Sequence, residues 1–249
     1  MKVFLPPALR PKICDNLIRI GRSFDGGYLI NKDDIDRSDM LVSFGISDDW
    51  SFEHNFTQRK SVPVYAFDGS VDSKFWMKRI ASAVLSRRFS GLFDYFRMKR
   101  FFSGNKHFFR QFIGFQSTEN FISFDDVVKK VDPDRSAKMY LKIDIEGWEY
   151  RILDSLVTHA HSITGLAIEF HDVDLHLERI KAFAEAFPLA IVHVHANNYS
   201  PVARSGVPLA LEITFSASRV KDGFADLPHR LDQPNKSSSP DYIIAFGQP

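Results

Sequence analysis

One stretch limits what this chain can become: Met139-Tyr140-Leu141-Lys142-Ile143-Asp144-Ile145-Glu146-Gly147-Trp148-Glu149-Tyr150. Met139 to Ile143 is mostly apolar and too short for an ordinary helix, so it reads as a strand buried on both faces. Two carboxylates, Asp144 and Glu146, and a glycine follow at once. Beyond the glycine, Trp148, Ile152, Leu153 and Leu156 recur at helical spacing. A buried strand that ends in acids and turns into a helix is the repeating unit of an open α/β sheet. In such sheets ligands bind in the crevice beyond the carboxyl ends of the strands. Asp144 and Glu146 are therefore expected in that crevice.

Further strands carry similar ends. Met40 to Phe44 runs into Gly45-Ile46-Ser47-Asp48-Asp49-Trp50. Gly45 permits a sharp turn and the close approach of a ligand, and Asp48 or Asp49 can cap the helix carrying Trp50 and Phe56. This lone glycine is not the Gly-x-Gly-x-x-Gly of a dinucleotide site. Val62 to Phe67 ends in Asp68-Gly69, with Asp68 23 positions beyond Gly45. An acid about 20 residues past a glycine turn commonly binds ribose hydroxyls; a plain turn before Gly69 is the alternative. Ile163 to Phe170 ends Glu169-Phe170-His171-Asp172, with Asp172 as N-cap of a helix through Val173, Leu177, Ile180, Ala184 and Phe187 that Pro188 stops. Leu189 to Val194 reads as another strand; if it runs one residue further, alternation puts His193 and His195 on one side, followed by Asn197 and Asn198.

At the start of the chain, Asn16 to Ile20 and Tyr28 to Ile30 read as two short strands around Gly21 to Gly27. The turn is either only a turn or a loop that closes over a ligand, with Arg22 and Tyr28 flanking it. Phe112 to Phe115 reads as another short strand, and Ser123 opens a helix as a capping box. At the far end, Ala210 to Phe215 and Tyr242 to Phe246 read as two strands expected to pair antiparallel across the polar loop 219–241.

Residues 74–110 stand apart. They hold Lys74, Lys78, Arg79, Arg87, Arg88, Arg97, Lys99, Arg100, Lys106 and Arg110 against one acid, Asp94, with aromatic residues interleaved. The stretch is long for a strand-to-strand connection. It reads as a helical insertion over the carboxyl edge of the sheet: either a solvated helical face or a lid that attracts an anion. The anion could belong to a phosphorylated sugar, a lipid headgroup or a nucleic acid. The whole chain, 249 residues with formal net charge +1, suits one domain spanning residues 1–249 with 74–110 inserted. Its overall charge disfavours a nucleic-acid partner. The single cysteine, Cys14, leaves no internal disulfide and fits a cytoplasmic location. No run approaches the roughly 18 apolar residues of a membrane span. The 24 phenylalanines leave room for a subunit contact or a peripheral membrane contact.

Strand and helix alternate five times before two closing strands, with the glycine corner first and Asp68 next. That order resembles the class I S-adenosylmethionine-dependent methyltransferases. More narrowly, Leu141-Lys142-Ile143-Asp144-Ile145-Glu146-Gly147-Trp148-Glu149 and Ile168-Glu169-Phe170-His171 resemble the FkbM-type members, over about residues 18–200. Ser43 to Asp49 and Asp25-Gly26-Gly27-Tyr28 fit a subset of them. The resemblance implies a Rossmann-like α/β sheet, mostly parallel with an antiparallel C-terminal strand; the helical basic and aromatic insertion is this chain's own addition, read from its composition and length. It also implies an O-methyltransferase using S-adenosylmethionine on a sugar, glycan or natural product, as in polysaccharide biosynthesis.

In this reading the cofactor meets Gly45, Ser47, Asp48, Asp68, Gly69, Asp144 and Glu146. Asp68 holds the ribose, and Asp48 or Asp144 receives the amino group. Arg22, Tyr28 and Asn198 face the acceptor. A sulfonium methyl is already activated, so the protein must align the acceptor oxygen and take its proton. His171 is the first choice of base and His195 the second, with Asp144 beside them; each histidine could equally be a packing residue. Asp144, Glu169 and His171 could instead hold magnesium or manganese. Two other readings stay open: an RNA methyltransferase using the basic lid, and a non-catalytic module that binds an anionic membrane or glycan-assembly partner.

Overall fold

The computed structural model describes residues 1–85 and 90–247. Seven strands form the central sheet: β1 (Met40–Phe44), β2 (Val64–Phe67), β3 (Lys106–Phe109), β4 (Met139–Ile143), β5 (Ile163–Phe170), β6 (Ala190–Ala196) and β7 (Leu211–Ser216). Their spatial order is β3-β2-β1-β4-β5-β7-β6. Neighbours from β3 through β5 are parallel, and β7 runs antiparallel between β5 and β6. This is the mostly parallel sheet with a late antiparallel strand that the class I resemblance implies. The helices are α1 (Lys32–Arg37), α2 (Ser51–Arg59), α3 (Ser73–Leu85), α4 (Ser90–Phe101), α5 (Phe124–Val131), α6 (Leu153–Thr158) and α7 (Val173–Ala186). No described helix is long and apolar enough to cross a membrane.

β1 and β4 are buried along their whole length, as their continuous apolar runs require. Chain order reverses between these two strands, and an open sheet leaves its ligand crevice at such a point. Phe44 pairs with Ile143, so Gly45 and Asp144 leave the sheet side by side. A Cβ at Gly45 would run into the carbonyl of Asp144, and the residue turns at φ +73°. Close approach and left-handed backbone each call for glycine here.

Alternation divides β4 between two cores. Met139, Leu141 and Ile143 join the larger one, with Val127 of α5, Leu156 of α6 and Ile180 of α7. Tyr140 joins the other, with Ile35 of α1, Phe52 and Phe56 of α2, and Ile20, Tyr28 and Ile30. The last three come from a hairpin in which Leu17–Gly21 pairs antiparallel with Gly27–Asn31. Lys142 shares the face of Tyr140, which brings its ammonium 5.9 Å from the ring centre of Tyr28.

Several expectations need correction. Tyr242 to Phe246 does not pair with β7: Ile243–Phe246 runs parallel beside Lys2–Leu5. Both edges of β7 are already taken by β5 and β6, so it has no ladder left to offer. The stretch read as a purely helical insertion ends in the sheet: Lys106–Phe109 is its edge strand β3. Phe108 and Phe109 turn to opposite faces, Phe109 stacking on Phe67 and Phe108 meeting Phe102. Helices α3 and α4 pair around Trp76 and Met98, packed by Trp50, Phe75 and Tyr95. Among the described residues, none of α3 or α4 lines the crevice at the switch point, although Arg79 of α3 pairs with Asp48 on its wall. Arg87, Arg88 and Phe89 lie outside the described residues. Ser123 caps α5 as expected, accepting from the Asp126 amide at 3.2 Å. Asp172 holds the N-cap position of α7 at φ +49° but makes no side-chain capping bond.

Asp34 on α1 offers a stability test. Its carboxyl is buried, with Oδ1 accepting from the Ser218 amide at 3.2 Å and hydroxyl at 2.7 Å. Oδ2 has no partner among the described residues. Burial pushes the group up to about 6 against the hydrogen bonds from Ser216 and Ser218 and the charge of Arg37. The folded state therefore holds a proton that the unfolded chain, with a carboxyl near 4, releases earlier. The contribution of this group to stability is greatest below about pH 4 and falls as pH rises through 6. Asp34→Asn keeps an oxygen for Ser218 and removes the charge, while its amide nitrogen takes the place of the unpartnered Oδ2. We expect the variant to gain about 1–2 kcal/mol at pH 8 and almost nothing at pH 4. Urea denaturation at the two pH values checks this; an equal change at both would remove charge burial as the cause.

Candidate functional site

The loops after β1, β2, β3 and β4 enclose a crevice of about 540 Å³, and the tip of the hairpin forms its rim with Arg22, Asp25 and Gly26. Of the residues assigned from sequence to the cofactor, Gly45, Ser47, Asp48, Asp68, Asp144 and Glu146 line it; Gly69 does not. Gly69 instead lies against the Phe112 ring, with no room for a side chain. Ser47 (φ +49°) and Glu146 (φ +55°) hold left-handed backbone without being glycine. Such conformations cost of order 1–3 kcal/mol each and gather at binding sites.

Asp68 is a buried linchpin. Its Oδ2 accepts from the amides of Ile46 at 3.0 Å and Ser47 at 2.7 Å, tying the β1 loop to the end of β2. Its Oδ1 accepts from the Ser70 amide at 2.8 Å and hydroxyl at 2.6 Å. Those four donors fill the lone pairs of one carboxylate. A ribose hydroxyl can bind only by displacing one of them, and the rotatable Ser70 hydroxyl is the one free to leave.

Sequence reasoning missed Lys142. Its ammonium, buried at the foot of the crevice, donates to the Gly45 carbonyl at 2.7 Å and to Asp144 Oδ2 at 3.3 Å. A charge inside a fully buried strand must find partners, and that was the available signal. Behind it, Glu53 accepts from Ser43 Oγ at 2.5 Å; burial raises the Glu53 carboxyl, and the charge of Lys142 opposes that. Lys142 thus fixes both the glycine corner and the Asp144 carboxylate. Also missed was an aromatic wall: Phe112 meets Phe121 at 5.5 Å and Phe121 meets Trp148 at 5.2 Å, with Phe112 and Trp148 both facing the crevice. Phe112 and Phe121 are partners across two short parallel strands, Phe112–Gly114 and Phe121–Ser123, and Trp148 comes from the turn after β4, so the wall depends on pairing that no local pattern announces.

A layer of acids lies beside the crevice. The Tyr28 hydroxyl stands 3.3 Å from Asp144 Oδ2 and 3.4 Å from Glu169 Oε2. Tyr28 is buried, so it lies beneath the site rather than flanking an open loop. Burial, then the charges of Asp144 and Glu169, hold its phenol well above the usual range, leaving a hydroxyl donor. Glu169 accepts from Asn197 Nδ2 at 2.7 Å. Burial pushes its carboxyl well up, and Asp144 and Glu212 push it further.

His171 bridges this layer and a second acid. Its Nδ1 is 3.0 Å from Oε1 of Glu149, a fully buried carboxylate that also accepts from the Ile145 and Gly147 amides. The partner fixes the tautomer, so Nε2 faces Glu146 Oε2 at 3.6 Å and Asp144 Oδ1 at 4.0 Å. Burial lowers the affinity of the ring for its proton. The Glu149 bond and the charges of Glu169 and Asp144 more than offset that, raising His171 to about 9. Asp144, Glu169 and His171 each bring one ligand atom within 4.8 Å of the others.

Other candidates are engaged elsewhere. His195 is buried with both ring nitrogens at carboxylates, Nδ1 3.3 Å from Glu212 and Nε2 2.9 Å from Asp241. It has no free lone pair for a substrate proton. Asn198 spends its amide on the 236–240 segment: Nδ2 donates to the Lys236, Ser239 and Pro240 carbonyls, and Oδ1 accepts from the Lys236 amide. His195 lies within β6 and Asn198 just after it, at the sheet edge away from the switch point. Arg22 does reach the rim, where it pairs with Asp49 at 3.1 Å.

No family model matches the chain, and no curated protein matches it. Among solved structures it is similar to an rRNA methylase from Streptococcus thermophilus, at 15% identity over 74% of this chain and 91% of that one, TM-score 0.37. It is similar to a precorrin-6y C5,15-methyltransferase from Geobacter metallireducens, at 11% identity over 74% and 84%, TM-score 0.38. It is also similar to the fibrillarin pre-rRNA processing protein of Methanococcus jannaschii, at 12% identity over 73% and 67%, TM-score 0.36.

Proposed function

We propose that the crevice binds S-adenosylmethionine and that the chain is a methyltransferase of the class I type. The observation that carries this reading is the convergence of Gly45, Asp68 and Asp144, from three strand ends at the switch point, on one crevice of about 540 Å³. Asp68 would hold the ribose once the Ser70 hydroxyl turns away, and the Phe112 ring offers the adenine an apolar face. Backbone at Gly45 and Ser47 would pass beside the methionine moiety. Asp48 is ion-paired with Arg79; Asp144 is held through Oδ2 by Lys142 and Tyr28, which leaves its Oδ1 as the partner for the amino group.

The acceptor we propose is a hydroxyl on an anionic molecule, a phosphorylated or nucleotide-linked sugar, with the chain acting as an FkbM-type O-methyltransferase in polysaccharide biosynthesis. His171 Nε2 faces Asp144 and Glu146, which line the crevice, and beside them it would take the proton of the acceptor hydroxyl. Its Nδ1–H stays on Glu149, which holds the ring in place and stabilises the imidazolium that forms. The acid and imidazole side chains beside the crevice also fit a second reading: Asp144, Glu169 and His171 would together hold a magnesium or manganese ion. Such an ion would supply Lewis-acid polarisation of the acceptor oxygen.

Calorimetric titration with S-adenosylhomocysteine tests the cofactor assignment. The parent chain should bind. Asp68→Ala should bind about 10–100-fold more weakly, the loss of a charge-assisted hydrogen-bond pair. Thermal melts show whether the variant is folded. No binding to the parent chain would end the proposal, and unchanged affinity in a folded variant would remove Asp68 from the site.

A further inference from the structure

Beside the crevice lies a second and larger concavity of about 760 Å³, between α2, α4 and the start of β3. Asp48 and Asp49 belong to the walls of both, so groove and crevice adjoin there. These two acids are already matched, Asp48 by Arg79 and Asp49 by Arg22. The cations of the groove are not balanced in the same way. Arg97 and Arg100 stand three residues apart on one face of α4, and Lys106 begins β3. Arg97 is two-thirds exposed, and among the described residues its acidic partner is Asp94, at 3.5 Å on its own helix. No acid within salt-bridge distance of Arg100 or Lys106 is found among the described residues; Lys106 lies 5.2 Å from the Phe101 ring instead. His54 packs against Phe101 at 5.9 Å. A forked guanidinium pair, an ammonium and an aromatic platform in one open groove are the elements that bind phosphoester anions.

We propose that this groove is a phosphoester subsite. It holds a phosphate of the acceptor while the acceptor hydroxyl lies in the crevice. This deepens the methyltransferase reading and rests on it for the word acceptor. The anion could belong to a nucleoside diphosphate attached to a sugar or to the backbone of a single-stranded RNA, and the same arginines would grip either.

The test uses the full chain with three probes: inorganic pyrophosphate, UDP-glucose, and fluorescein-labelled single-stranded RNA of several lengths. Binding is read by calorimetry and anisotropy across a salt series. At least one phosphoester probe should bind, and its affinity should fall as salt rises. Arg97→Glu with Arg100→Glu, at exposed positions, should weaken that binding by about tenfold or more and flatten the salt dependence. S-adenosylhomocysteine affinity should not change. RNA affinity that grows with length identifies the polymer as source; UDP-glucose binding as tight as the longest RNA identifies the nucleotide-sugar. Failure of every probe to bind, or binding that the double reversal leaves intact in a folded protein, overturns the subsite. If phosphoester binding responds as expected while S-adenosylhomocysteine never binds, the methyltransferase reading falls and the groove stands.

Discussion

His171→Gln should lower turnover by about 10²–10⁴-fold, the usual worth of a general base, and leave S-adenosylhomocysteine affinity within about threefold. Glutamine can still donate to Glu149, so the buried carboxylate keeps a partner and the fold is spared. What it cannot do is accept and carry a proton. The parent enzyme should show a matching pH profile. With His171 raised to about 9, the neutral ring is roughly one part in a hundred at pH 7. Rate should therefore climb tenfold per pH unit from neutrality and level off near pH 9, and that limb should vanish in the variant. Equal loss of turnover and cofactor affinity would argue that His171 merely shapes the pocket. The cation reading makes a different forecast for the same pair of proteins. Calorimetric titration with manganese alone would show binding to the parent that the variant lacks, whereas a plain base leaves no such signal.

The parts of this site that were legible in sequence are those that sit directly at the end of a buried strand. Asp68 and Asp144 each follow an apolar run, and parallel strands deliver their ends to one rim, so reading the runs sufficed to bring these two to the crevice; Glu169 and His171 lie beside it, within reach of Asp144. The parts that were hidden depend on pairing across sequence. Lys142 stands in a run already read as buried, but what its charge meets, the Gly45 carbonyl and the Asp144 carboxylate, depends on the neighbouring strand. Glu149 reads as the first turn of a helix, yet it is the buried clamp on His171. β3 lay concealed because Lys106-His107-Phe108-Phe109 continues the basic and aromatic composition of the helices before it. The fate of Tyr242 to Phe246 was equally unreadable, because it turned on β7 having no free edge.

His195 was expected at the crevice as a second base, and its actual surroundings predict a large effect of another kind. Replacing it with alanine should destabilise the protein by about 3–5 kcal/mol, the cost of stranding a buried charge. The ring lies between Glu212, itself buried, and the half-exposed Asp241. Glu212 also accepts from Asn235 Nδ2 at 2.6 Å, and that same amide reaches Asp25 on the hairpin at 3.4 Å. The half-buried guanidinium of Arg19 faces Glu212 as well. Burial by itself would lower the His195 pKa; the hydrogen bonds to Asp241 and Glu212 and their charges raise it instead to about 10. The folded state thus keeps a proton that the unfolded chain gives up near 6.5. The stability this confers is complete below pH 6.5 and drains away as pH rises toward 10, so denaturation midpoints should fall across that window in the parent and much less in His195→Ala. A Glu212→Gln background supplies the control. With the acid neutralised, His195→Ala should cost only about 1–2 kcal/mol, since what remains is a lost hydrogen bond and a cavity. An undiminished cost in that background would mean the ring contributes by packing alone, and the carboxylates around it would need another source of compensation.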